Sequence, residues 1–191
     1  MSRPDRPKKP TRKQRKRRRA TLKLAANGLA PTLVTAQLAG VEATALAAAR
    51  ALGLAHAGFV PSGTKNPGDT YEATPTRHPS QPLKWNVRFA EATVVITPDA
   101  VLHGRARLAV EWCRRYRKPW LHLFPGSHDG AQLAEWLRTR PLKSLHLTGA
   151  LAHQAERLGD LVEAFVHAFA SARGRPEPAI KRGDAENAER S

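Results

Sequence analysis

The chain has 191 residues, of which 41% are hydrophobic and 25% charged, with one cysteine and a formal net charge of +16. This is room for one domain with a core of its own. The lone cysteine excludes an intrachain disulfide framework, and no apolar run approaches the ~20 residues of a spanning helix, so a cytoplasmic protein with no membrane span is expected.

The charge is unevenly spread. Residues 1–23 carry twelve Lys/Arg and one acid, a net of +11, which leaves +5 for the rest of the chain. This segment contains Pro4, Pro7, Pro10 and the run from Arg12 to Arg19, with nothing apolar to bury. Burial cannot offset the entropy of ordering such a segment, so residues 1–29 are expected to be a disordered basic extension. Two roles stay open for it: non-specific attachment to nucleic acid through counterion release, or simple solubilisation. No aromatic residue is interleaved with the charges, so sequence-specific reading is not expected. Arg18-Arg19-Ala20-Thr21-Leu22-Lys23 resembles a twin-arginine export signal, with Val34-Thr35-Ala36 as its cleavage site. Asn27-Gly28 and Pro31 interrupt the apolar stretch, and cleavage would remove the first strand, so export is the minor alternative.

In chain order, Ala30 to Ala36 reads as a short strand and Val41 to Leu52 as an Ala/Leu-rich helix stopped by Gly53. Ala57 to Val60 is a second strand, ended by Pro61, after which Ser62 to Pro82 is a Gly/Pro/Thr-rich loop longer than ordinary connections. Leu83 to Ala92 reads as a short helix, Thr93 to Thr97 as a buried strand and Gly104 to Arg117 as a helix. Trp120 to Phe124 is a strand, Asp129 to Thr139 a helix and Ser144 to Thr148 the last strand. Asp160 to Ala172 closes the domain as an amphipathic helix, and residues 173–191 are polar, an expected disordered tail. Alternating strands and helices predict α/β class: one doubly wound, Rossmann-like parallel sheet of five strands over residues 30–172, with helices on both faces. Ligands of such sheets bind outside the carboxyl ends of the strands.

Trp85-Asn86-Val87-Arg88, between the long loop and the Thr93–Thr97 strand, is the most distinctive block. With Ala57-Gly58-Phe59-Val60-Pro61, the stretch from Lys65 to Tyr71 and the stretch from Glu111 to Pro119, it resembles the bacterial molybdenum-cofactor carrier protein family. That family is related to the lonely-guy phosphoribohydrolases, long misnamed lysine decarboxylases. The resemblance covers about residues 33–170 and implies a Rossmann-like carrier whose ligand is the molybdenum cofactor or a nucleotide. In the family, a first loop of Gly-Gly-Gln-Thr-Gly, a hydrophobic residue and Asp opens the first helix, and a Gly-Gly-Thr loop opens a middle helix. Such glycines let backbone amides approach an anion at a helix N-terminus. Here the first loop reads Ala36-Gln37-Leu38-Ala39-Gly40-Val41-Glu42, keeping one glycine, with Glu for Asp, and the second reads Gly104-Arg105-Ala106. The chain therefore reads as a divergent member.

The resemblance implies a cofactor-binding set of Gly40, Glu42, Lys65, Trp85, Asn86, Arg88, Gly104 and Arg105. Five of them also have a plainer reading: Trp85 as a cap on the core, Asn86 as a helix cap, Arg88 as a surface partner of Glu91, Lys65 as a solvated side chain, Arg105 as a plug in the pocket. Arg88 and Arg105 together are expected to hold the ligand's anionic end. No Gly-x-Ser-x-Gly elbow, intact hydrolase glycine loop or paired His/Cys spacing occurs, so no catalytic residue and no metal ligand is assigned. Three functions follow: a carrier of an anionic pterin- or nucleotide-like ligand, an interaction module tethered to nucleic acid by residues 1–23, or a nucleoside-monophosphate phosphoribohydrolase. The oligomeric state stays open, a homo-oligomer included.

Overall fold

In a computed structural model describing residues 31–172, the apolar runs become six short strands: β1 (Thr32–Val34), β2 (Ala55–Val60), β3 (Tyr71–Ala73), β4 (Ala92–Ile96), β5 (Trp120–Leu123) and β6 (Ser144–Gly149). Both expected tails lie outside the described residues. The helices are α1 (Val41–Ala51), α2 (Ser80–Phe89), α3 (Gly104–Tyr116), α4 (Gly130–Arg138), the single turn α5 (Ala152–Ala155), which runs into a 3-10 turn, and α6 (Gly159–Ser171). One sheet in the order β3-β2-β1-β6-β4-β5 holds all six strands, every pair parallel.

The sheet is buried on both sides, which is why its central strands read as near-continuous apolar runs. Along β4, Ala92, Val94 and Ile96 enter the larger core with Leu145 and Leu147 of β6, against α1, α4 and α6. Val95 points to the other face, where Leu83 and Val87 of α2 and Ala106, Val110 and Cys113 of α3 cover it. Helix α4 starts where Asp129 accepts from the Gln132 amide while the Gln132 side chain accepts from the Asp129 amide, a full capping box.

The structure differs from the five-strand expectation in three places. The connection read as a loop from Ser62 to Pro82 contains β3, a three-residue edge strand with too short a run to show a period. Thr74 holds it: its amide and hydroxyl both donate to the Val60 carbonyl, at 2.8 and 3.1 Å. Helix α2 begins at Ser80, earlier than Leu83, because Pro82 falls in its first turn, where a missing N–H breaks no helical bond. Trp85-Asn86-Val87-Arg88 therefore fills the later turns of the helix and does not open it.

The order also fixes where ligands can approach. The chain leaves β1 toward β2 and leaves β4 toward β5, and β6 lies between β1 and β4. The switch point of an open sheet, where loops diverge and a crevice forms, is thus the carboxyl edge of β1, β6 and β4.

Candidate functional site

Three loops meet at that edge, and their backbones touch. At Gly40 (φ 96°) a Cβ would overlap the Ala150 carbonyl, which accepts from the Val41 amide at 3.1 Å. At Gly149 a Cβ would overlap the Ile96 carbonyl, which accepts from the Ala150 amide at 2.9 Å. Only glycine allows both approaches. They pack the loop after β1 against the loop after β6, and that against the end of β4.

Into this junction the first turn of α1 turns Glu42, which is 3% exposed. Its Oε2 accepts from the amides of Ala36 (2.7 Å) and Leu38 (3.4 Å). Its Oε1 accepts from the Thr148 hydroxyl (2.7 Å) and from an Arg105 guanidinium nitrogen (2.8 Å). Burial on its own would raise this carboxyl's pKa. The Arg105 charge and the donated hydrogen bonds outweigh burial, so it lies below the usual carboxylate value. Arg105, its side chain 13% exposed, also donates to the Pro79 carbonyl (2.7 Å) and so ties α1, α2 and α3 together. Its Nε is buried with no partner among the described residues.

Next to this pair opens a cleft of about 260 Å³ between the loop after β4, the start of α3 and the residues from Gly149 to Gln154. Asp99, His103, Gly104, Arg105 and His153 line it. No side chain caps α3 at His103, so the first-turn amides of that helix, which have no intrahelical acceptor, remain for a ligand or water. Thr97, which also lines the cleft, joins its hydroxyl to His122 Nε2 and donates to the Asp99 carbonyl (2.7 Å). Burial lowers the His122 pKa, favouring the neutral ring.

Deeper along β6, His146 is wholly buried, its Nδ1 3.4 Å from the Thr93 hydroxyl and its Nε2 without a partner among the described residues. Desolvation drives its pKa down to about 3 against the pull of the Glu42 carboxylate. It is a neutral core side chain. Cys113 is likewise buried, and burial pushes its thiol pKa up, away from reactivity. Among the described residues no group of three or more His, Cys, Asp or Glu is arranged to hold a metal ion. None of their helices is long and apolar enough to cross a membrane.

Of the residues singled out in the sequence, the structure gathers Gly40, Glu42, Gly104 and Arg105. The other four hold positions of their own on α2 and on the connection between β2 and β3. Asn86 is fully buried, its Oδ1 accepting from the Phe59 amide (2.7 Å) and its Nδ2 donating to the Phe59 carbonyl (3.1 Å). Trp85 meets Phe59 edge to face, with ring centroids 5.0 Å apart, and Lys65 is exposed on the connection between β2 and β3. Arg88 is exposed in the last turn of α2, just before β4 begins, and therefore at the opposite end of the sheet from Arg105. The expected pairing of Arg88 with Arg105 on one anion is not formed, because parallel strands place the end of a crossover helix at the amino edge. Sequence reasoning missed Thr148 and the Ala36 and Leu38 amides. The alternation Ser144-Leu145-His146-Leu147-Thr148 was the available signal, since it puts three polar side chains on one buried face.

The model of the circularly permutated YpsA SLOG family matches residues 34–170. A solved structure, that of a protein from Syntrophus aciditrophicus SB described as a putative molybdenum carrier protein, matches with a TM-score of 0.65. The two are 20% identical over 74% of this chain and 95% of that one, a likeness that speaks for the fold. Among curated proteins nothing matches.

Proposed function

This chain belongs to the circularly permutated YpsA SLOG family, and from that premise we propose that it is a carrier that binds an anionic pterin- or nucleotide-like ligand without transforming it. The observation that carries the reading is the cleft at the switch point, bordered by the uncapped start of α3. Unpaired amides and the positive end of a helix dipole favour an anion there. The fold it shares with a protein described as a molybdenum carrier supports the ligand class. At about 260 Å³ the cleft falls below the ~300–1,000 Å³ of whole-ligand pockets, so it suits a charged head group, with the rest of the ligand lying outside. Transformation is disfavoured because Glu42, the buried acid at the junction, already accepts four hydrogen bonds and has no lone pair directed at a substrate.

Calorimetric titration of full-length protein with molybdopterin and with nucleoside monophosphates tests the proposal. Saturable binding with the ligand recovered intact supports it. Release of free base from the nucleotide turns the reading toward a phosphoribohydrolase. Absence of binding by every anion leaves the interaction-module reading.

A further inference from the structure

The Glu42 pocket has the construction of an anion site. Four donors from three separate parts of the chain converge on one small volume: the Ala36 and Leu38 amides after β1, the Thr148 hydroxyl on β6 and the Arg105 guanidinium on α3. Backbone amides of a tight loop, a hydroxyl and a guanidinium are groups that proteins assemble around phosphate or sulfate. What they hold here is a side chain of the same molecule.

A carboxylate brings two oxygens to this cradle, whereas a tetrahedral oxyanion brings four. Arg105 Nε, buried and without a partner among the described residues, is a donor that Glu42 leaves unused. Leu38 is held at 3.4 Å, a loose contact beside the 2.7–2.8 Å of the other three. The cradle therefore has more donor capacity than its occupant satisfies.

We propose that the loop after β1 is an oxyanion cradle occupied by the chain's own Glu42 carboxylate, which keeps phosphate-like groups out of this position. Glu42 is then a specificity-determining residue: it confines an incoming anion to the cleft on the far side of Arg105. The idea does not depend on the ligand proposed above, because it concerns a different position and is read out with inorganic ions. Shortening the side chain should turn the internal occupant into a vacancy that sulfate or inorganic phosphate fills.

The experiment compares full-length wild type, Glu42→Ala and Glu42→Gln by thermal unfolding in increasing sodium sulfate or phosphate, with sodium chloride at matched ionic strength as reference. The wild type sets the baseline: sulfate and phosphate stabilise a folded protein gradually by exclusion from its surface and can also enter the cleft, so only a rise beyond the wild type's counts. Glu42→Ala is expected to melt lower without the oxyanion, because Arg105 has lost its buried partner. It should then show a saturable rise of about 5–10 °C at a hundredfold excess over its Kd. Glu42→Gln also removes the countercharge of Arg105 and turns an NH2 toward donors, so it is expected to melt lower too, but it still fills the cradle and should be unresponsive to the oxyanion beyond the wild type. If Glu42→Ala is unfolded in chloride, recovery of its cooperative transition in sulfate or phosphate at concentrations that do not raise the Glu42→Gln transition is the supporting result. Failure of Glu42→Ala to respond in either form overturns the proposal. So does a wild type that responds equally, or a Glu42→Gln response as large as that of Glu42→Ala.

Discussion

Replacing Asn86 with Ala removes a side chain that stands in for a missing strand. On β2, the Gly58 amide and the Val60 carbonyl bond toward the β3 side, to Thr70 and Thr74. The backbone groups of Phe59 consequently face the other way, past the end of β1 at Val34. The Asn86 carboxamide meets both of them, at 2.7 and 3.1 Å, inside a wholly buried setting. Asn86→Ala orphans one donor and one acceptor, and each costs about 1–3 kcal/mol, so the expected loss is about 4 kcal/mol. For a domain of this size that lowers Tm by roughly 10–15 °C. Asn86→Asp keeps an acceptor for the Phe59 amide but sets a buried carboxylate against the Phe59 carbonyl, and should cost at least as much. Urea denaturation followed by circular dichroism measures both changes through the midpoint at constant slope. A variant within about 1 kcal/mol of wild type would refute the clamp. A variant of normal stability that had lost affinity for nucleoside monophosphates would move Asn86 into the ligand site.

Three further outcomes follow from the same geometry. Gly149→Ala drives a methyl group into the Ile96 carbonyl at the centre of the sheet and should destabilise by about 1–3 kcal/mol, read from the urea midpoint; an unchanged midpoint contradicts the close approach. His146, with a folded pKa of about 3, binds its proton in the unfolded chain near pH 6.5 but not in the native one, so its share of the stability is complete above pH 6.5 and falls with pH through that window. Glu42, also depressed, loses its contribution in the same direction at more acid pH. Between pH 6 and 4 the wild type should lose up to about 1.4 kcal/mol per pH unit more than His146→Gln, and parallel profiles would show that His146 titrates normally. Arg88→Ala, an exposed change remote from the cleft, should alter stability by no more than about 0.5 kcal/mol and leave any nucleotide affinity intact; a tenfold rise in Kd by calorimetry would return it to the site.

Features carried by local pattern were legible before the structure. Thr93 to Ile96 announced a strand buried on both faces, and Ala/Leu density from Val41 to Ala51 with Gly53 behind it announced α1 and its end. Asp129 was read as the start of the helix that became α4, and the structure supplies its cap, shared with Gln132 three positions on. Tyr71–Ala73 stayed hidden because an edge strand of three residues owes its existence to β2 and to Thr74, not to its own period. Trp85-Asn86-Val87-Arg88 carried the family resemblance but not the role of its amide: Asn86 has its partner 27 residues away in Phe59, a relation with no trace in the tetrapeptide.

The sequence by itself determined the α/β class, the alternation of its elements and a family resemblance, because helical and strand periodicity and backbone-permitting residues act over a few positions. Only the tertiary structure decided what the conspicuous residues do. By inserting β6 between β1 and β4 it brings Thr148 to Glu42 across 106 positions and Arg105 to Glu42 across 63. Hydrogen bonds and ion pairs at such separations depend on strand order and on which edge a helix begins from. Neither quantity leaves a periodic mark in the chain.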